Sequence, residues 1–227
     1  MKKFVINLKR RPDRLENFKN NCPIITDVVY GFDSKNHQLE TDDSEQFLYN
    51  TVLECLSKNE RGVFISHYRI YKNMVKNNYN SAMIFEDDAI FTNSFDVKIK
   101  HVIKELPKNW HICFFGGRFT KDYVMNSSSV IKVSDRLVEH NIHNFNNHDH
   151  DRTFHGYLLS NLGAKFLIEQ LEKIYPKSLA YNIFDRPTDT GPVDHWVIRL
   201  FYKNNIKVYS STPLLCHSPL VGDSDIR

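Results

Sequence analysis

Long apolar runs are missing from this chain. No stretch approaches the roughly 18 consecutive apolar residues that a membrane-crossing helix needs, so no transmembrane segment is expected. After Met1-Lys2-Lys3 only Phe4 to Asn7 intervene before polar sequence returns at Lys9. A secretory signal needs a longer apolar core and a small-residue cleavage site, so the expected location is the cytoplasm. Cysteine is scarce: Cys22, Cys55, Cys113 and Cys216 are far apart in 227 residues. That excludes a Cys-x-x-Cys metal or redox motif and a disulfide scaffold, and predicts reduced, partly buried thiols. With 8 glycines the chain has no Gly-rich phosphate loop of either common spacing, and it has no Gly-x-Ser-x-Gly elbow. Charge of one sign is also lacking. The net charge of +3 excludes the dense basic stripe of a nucleic-acid binder, but leaves room for an anionic small substrate.

What is present is an ordinary globular composition, 41% hydrophobic and 25% charged, long enough for a real core. Phe4 to Leu8 predicts a buried strand, and Pro12 suits the first turn of a following helix. A second strand is predicted over Ile24 to Tyr30, ending at Gly31-Phe32-Asp33, then a polar surface loop over Ser34 to Ser44. Apolar spacing from Gly62 to Val75 predicts an amphipathic helix. Ala82 to Phe85 reads as a strand buried on both faces, as in a parallel sheet. A helix over Val97 to Leu106 and a strand over Trp110 to Phe115 follow. Ser127 to Arg152, rich in Asn and His, gives no clear pattern. Tyr157 to Ser160 predicts a strand, Asn161 to Leu171 a helix, Pro192 to Phe201 another helix and Lys207 to Tyr209 a last strand. Alternating strands and helices predict a single α/β domain over 1–227 with a mostly parallel, Rossmann-like central sheet flanked by helices.

Chemistry concentrates where the predicted strand ends in Glu86-Asp87-Asp88. Ligands bind at the carboxyl edge of open α/β sheets. Three adjacent carboxylates repel, and a divalent cation with diphosphate oxygens would offset them; Mg²⁺ and Mn²⁺ favour one or two protein carboxylates plus phosphates. Strand alternation would turn Glu86 and Asp88 one way and Asp87 the other. The bland alternative is a solvated acidic turn. A second signal is Arg10, Arg11 and Arg14 beside Asn7 at the end of the first strand, where guanidinium groups suit phosphate. Positive charge at a helix start opposes the helix dipole, which favours function over a merely solvated charge run. Asp194, in Pro192-Val193-Asp194, is a candidate general base for an acceptor hydroxyl; an acid in a first helical turn is also structurally favourable. His217, after the last strand, is a candidate imidazole metal ligand, or simply a structural histidine. The histidines from His140 to His155 lack regular ligand spacing.

With these residues in view the chain resembles glycosyltransferase family 25, which includes lipooligosaccharide and procollagen galactosyltransferases. The resemblance covers nearly the whole chain: Val5 to Arg14, Gly62 to His67 followed by Tyr71-Lys72, Ile84 to Ala89, His155 to Ser160, Gly163-Ala164, Pro192-Val193-Asp194 and Ser224-Asp225-Ile226. Departures fall at Phe64, His111 and His155-Gly156. The resemblance implies a GT-A fold, a UDP-sugar donor, Mn²⁺ or Mg²⁺ as cofactor, and a hydroxyl acceptor on a protein or glycan. It implies Asn7, Arg11 and Arg14 near the nucleotide, with Asp33 and Ser66 as further binding residues. Glu86 and Asp87 join them in the acidic motif, and Asp88 is the foremost direct metal ligand. Galactose leads among donor sugars, with glucose and N-acetylglucosamine behind. Inversion at the anomeric carbon needs a base, for which Asp194 stands. A non-catalytic nucleotide- or glycan-binding homologue is the alternative, and a metal-dependent nuclease or phosphatase a third.

Overall fold

Successive residues of the central strands send their side chains to opposite faces of a sheet, and both faces are apolar. Phe4, Ile84, Phe114, Tyr157, Leu159 and Val208 fall in one buried cluster; Val5, Phe85, Cys113, Leu158 and Tyr209 fall in a second. A sheet that is apolar on both sides needs a helical layer on each. The computed structural model has that organisation, and it describes residues 1–35, 41–52, 56–117, 130–140, 154–172, 197, 200, 204 and 206–217.

The described elements run β1 (Lys2–Asn7), α1 (Pro12–Asn21), β2 (Asp27–Tyr30), α2 (Asp43–Phe47), a π-helical turn (Leu48–Val52), α3 (Lys58–Lys76), β3 (Ser81–Glu86), β4 (Ile90–Phe91) and α4 (Phe95–Glu105). They continue with β5 (Ile112–Phe114), β6 (Gly116–Gly117), β7 (Val130–Lys132), β8 (Leu137–His140), β9 (Gly156–Ser160), α5 (Asn161–Glu172), β10 (Val208–Ser211) and β11 (Cys216–His217). Eight strands form one sheet in the order β2-β1-β3-β9-β5-β10-β8-β7, and β4-β11-β6 form a small second sheet. α3 and α5 pack on one face of the large sheet through Phe64, Ile65, Tyr68, Leu167 and Leu171. α1 and α4 cover the other through Phe18, Phe95, Ile99 and Val102.

The α/β class and the helical layers agree with the sequence reading, but the sheet is mixed rather than mostly parallel. β1 pairs in parallel with β2 and β3, and β10 with β5. β9 runs antiparallel between β3 and β5, and β8 runs antiparallel to both β10 and β7. Every residue of β9 is buried. A strand buried on both faces has the same apolar signature whichever way it runs, so hydropathy carried no sign of its direction. The expected surface loop from Ser34 also differs at its start: Ser34 is buried, with its Oγ donating to Asn59 Oδ1 at 2.9 Å. The helix expected from Pro192 to Phe201 lies almost wholly outside the described residues. Among the described residues no helix is long and apolar enough to cross a membrane.

Candidate functional site: a cleft at the carboxyl edge of β1 and β3

The site begins with register. β1 and β3 run side by side in parallel with Ile6 opposite Glu86, so both carboxyl ends reach one edge together. Asn7 therefore meets the acidic turn, and its Nδ2 donates to Asp87 Oδ2 at 2.7 Å and to the Arg11 carbonyl at 2.9 Å. The strand stops at Glu86. Asp87 and Asp88 form a turn in which the Ala89 amide donates to the Glu86 carbonyl at 3.2 Å.

The antiparallel course of β9 completes the edge. Gly156, its first residue, pairs with Phe85, so the residue just before it, His155, is delivered to the same edge as Glu86. His155 Nε2 lies 3.5 Å from Glu86 Oε2 and 3.4 Å from Asp88 Oδ1. One donor atom from each of Glu86, Asp88 and His155 lies within 4.8 Å of the other two. Asp87 is turned to Asn7 and Arg14 instead; the sequence reading expected Asp87 to point away from the other two, but the turn rather than strand alternation directs it.

Arg14 reaches back from the first turns of α1 and bridges the acidic turn. Its Nη2 pairs with Asp87 Oδ1 and lies 3.1 Å from Asp88 Oδ2. Burial pushes the Asp87 carboxyl up to about 6, against the opposing pull of Arg14 and the Asn7 hydrogen bond. Burial also works against the charge on Asp88, but the imidazole of His155 and the guanidinium of Arg14 outweigh it and hold that carboxyl below its ordinary value. The repulsion among three carboxylates is thus partly offset by side chains of the protein itself. Asp88 Oδ1 is nevertheless buried with no hydrogen-bond partner among the described residues.

The other wall of the cleft is the segment after β2. Asp33 is buried, accepts from Arg10 Nε at 2.9 Å and accepts from the Lys35 amide at 3.1 Å. Ser66 on α3 holds this segment: its Oγ accepts from the Phe32 amide at 2.8 Å and donates to the Gly62 carbonyl at 2.6 Å. The contact between segment and helix is so close that it excludes side chains. A Cβ on Gly31 would stand 2.9 Å from Ser66 Oγ, and one on Gly62 would stand 2.8 Å from the Phe32 carbonyl.

Asn7, Arg14, Asp33, Ser66, Glu86, Asp87 and Asp88 all line this one cleft, as does Arg10. Arg11 does not line it. Its guanidinium is turned to Asp13, with Nη2 at 2.9 Å from Oδ2, and its contribution to the site is the carbonyl that Asn7 holds. A basic run alternating between loop and helix start gave no way to tell Arg10 from Arg11. His217 sits on β11, with Ile90 and Gly117 as its strand partners, outside the Glu86–Asp88–His155 group. Asp194 lies outside the described residues.

Two residues escaped the sequence reading. His155 was passed over because its neighbours lacked ligand spacing; only an antiparallel β9 brings it to the carboxylates. His140, from the same His-rich stretch, is a buried sheet residue whose Nε2 meets Ser210 Oγ at 2.9 Å. His67 on α3 is wholly buried, with Nε2 3.3 Å from Glu86 Oε1 and Nδ1 2.8 Å from Tyr157 Oη.

Comparison with known proteins adds an independent line. The Glycosyltransferase 25 family member of Aedes aegypti is 26% identical over 231 residues, spanning 94% of this chain and 35% of that protein. Procollagen galactosyltransferase 1 of Danio rerio is 25% identical over 233 residues, spanning 94% and 35%. Probable inactive glycosyltransferase 25 family member 3 of Bos taurus is 25% identical over 238 residues, spanning 98% and 37%. The chain thus spans about a third of the length of these curated relatives. Among solved structures, mouse xyloside xylosyltransferase 1 in its apo form superposes with a TM-score of 0.45 at 12% identity, covering 90% of this chain and 70% of that one. The family model for glycosyltransferase family 25 (LPS biosynthesis protein) matches residues 1–185, which include every cleft residue described above. The chain belongs to glycosyltransferase family 25.

Proposed function

We propose that this chain is an inverting, metal-dependent hexosyltransferase. It moves galactose, ahead of glucose or N-acetylglucosamine, from a UDP-sugar to a hydroxyl of a collagen-like hydroxylysine or of a glycan. The observation that supports this most is the grouping of Glu86, Asp88 and His155, two of which, Glu86 and Asp88, line a cleft that also presents Arg10 and Arg14. Two carboxylates and one imidazole suit Mn²⁺, and Mg²⁺ less well because it prefers oxygen alone. The buried Oδ1 of Asp88 makes no hydrogen bond among the described residues beyond its long 3.4 Å approach to His155 Nε2, and a cation held between the two fits this donor set. Bound there, the cation would offset negative charge developing on the leaving diphosphate.

The protein's own residues have separate tasks in this reading. Arg14 fixes Asp87 and Asp88 and places a guanidinium charge beside the position of a phosphate. Asn7 anchors Asp87 at the end of β1. Arg10 and Asp33, paired on the opposite wall, bind the nucleoside portion, and Ser66 acts by holding Phe32 and Asp33 in place. The acceptor oxygen bonds to the anomeric carbon on the face opposite the diphosphate, the bond to diphosphate breaks, and Asp194 takes the hydroxyl proton. His155 is the imidazole assigned to the metal, and His217 is the further one the sequence offers.

The relative named as a probable inactive family member favours a second reading, a nucleotide- or glycan-binding protein without turnover. UDP release from UDP-galactose, UDP-glucose and UDP-N-acetylglucosamine, with Mn²⁺ or EDTA and with or without a hydroxylysine peptide, separates the two. Release that needs Mn²⁺ and is accelerated by the peptide is the expected result. Metal-dependent UDP binding with no release from any donor and acceptor would favour the second reading.

A further inference from the structure

Glu86 is held from behind by a buried chain of polar side chains that the proposed chemistry does not use. His67 Nε2 lies 3.3 Å from Glu86 Oε1, His67 Nδ1 lies 2.8 Å from Tyr157 Oη, and Tyr157 Oη lies 3.2 Å from Tyr71 Oη. His67, Tyr71 and Tyr157 are all buried in the core. His67 and Tyr71 stand four residues apart on α3 and so share its inner face, while Tyr157 comes from β9. Phe154 seals the group, its ring centroid 4.8 Å from that of His67 and 4.5 Å from that of Tyr157.

For an ionised Glu86 and a neutral imidazole, hydrogen-bond bookkeeping allows one proton arrangement. An ionised Glu86 only accepts, so His67 Nε2–H donates to Oε1. A neutral imidazole then has Nδ1 as its acceptor, so Tyr157 O–H donates to Nδ1. The Tyr157 oxygen is left to accept from Tyr71 O–H. Every donor is used once and every acceptor in the chain is served.

We propose that His67 is a positioning residue for Glu86. Held in the Nε2–H tautomer by Tyr157 and Tyr71, it fixes Oε1 and leaves Oε2 facing His155. This rests on the metal reading of the site. Outer partners of metal-binding side chains orient them and tune affinity, which is the role assigned to His67 here. A helix-borne histidine clamped on both ring nitrogens lets α3, rather than a loop, determine where the carboxylate points.

Two measurements on the full chain test this. In the first, Mn²⁺ is titrated into the UDP-saturated protein. His67→Leu is expected to weaken Mn²⁺ binding about tenfold or more, in the range seen for outer-shell changes. His67→Gln, whose amide N–H can stand in for Nε2–H, is expected to stay within about threefold. Equal loss in both variants would mean His67 serves only packing, and no loss in either would remove it from the site; both overturn the proposal. In the second, protein labelled with ¹⁵N-histidine is observed by NMR at neutral pH without metal. His67 is expected to carry its proton on Nε2, and Tyr157→Phe is expected to disturb that signature. A proton on Nδ1, or on both nitrogens, would overturn the proposal even if His67→Leu failed to fold. A wild-type protein that binds no Mn²⁺ would defeat the metal reading, while the NMR result would still decide the tautomer.

Discussion

Arg14 pairs with both Asp87 and Asp88, so it stabilises the acidic turn and also stands where a diphosphate would meet it. Arg14→Ala should therefore weaken UDP binding at least tenfold by calorimetry, because two partly buried carboxylates would be left facing an anion with one fewer cation between them. Unchanged UDP affinity would remove Arg14 from the nucleotide site. Asn7 is a structural partner in the same cluster. Removing its two donated bonds in Asn7→Ala should cost about 2 kcal/mol in urea unfolding, since buried groups lose their partners. The cluster was partly legible in the sequence. Glu86, Asp87 and Asp88 stood out because three acids ended an apolar run, and Asn7 and Arg14 because they followed the first strand. His155 did not stand out, since an isolated histidine beside a strand signals a ligand only once the strand's direction is known.

At the scale of elements, the cleft depends on how closely α3 lies against the segment after β2. Gly62→Ala would push a methyl group to 2.8 Å from the Phe32 carbonyl, and backbone cannot yield as a flexible side chain can. It should cost about 1–3 kcal/mol, as overpacking does, and lower UDP affinity through the displaced Asp33. Ser57 caps the N-terminus of the same helix, just before Gly62, in a reciprocal capping box with Glu60. Ser57→Ala should lower stability by about 1 kcal/mol with UDP affinity unchanged, a contrast that separates helix stability from cleft shape. α3, α4 and α5 were read to within a few residues because their apolar spacing is local, whereas α2 was missed, its first residues falling in the stretch expected to be a surface loop. The short strands β4, β6, β7, β8 and β11 were missed, because two to four residues carry too little periodicity and are set by pairing partners distant in sequence.

For the whole molecule, the contact between α2 and α3 should add a pH-dependent contribution to stability in acid. Asp42 caps α2 and bonds Lys72, and although burial works against its charge, Lys72, Ser44 and the Glu45 amide together lower its carboxyl to about 2. A carboxyl lowered on folding adds stability that is complete above its unfolded value near 3.8 and is lost as pH falls towards 2. Asp42→Asn should therefore flatten the fall in stability between those pH values in acid unfolding; an unaltered profile would show that the pair does not couple to folding. The general architecture was legible because alternating buried strands and amphipathic helices admit few arrangements. Strand order and direction were not, because they depend on β9 entering the sheet between β3 and β5.

The central claim, that Glu86, Asp88 and His155 form one metal site serving a nucleotide diphosphate, is tested most directly by titrating Mn²⁺ into the protein with and without UDP. Wild type should bind one ion, more tightly when UDP is present, and Asp88→Asn and His155→Ala should each weaken that binding at least tenfold while His217→Ala leaves it within about twofold. Mn²⁺ binding that is unaffected by Asp88→Asn and His155→Ala, or that ignores UDP, would contradict the account.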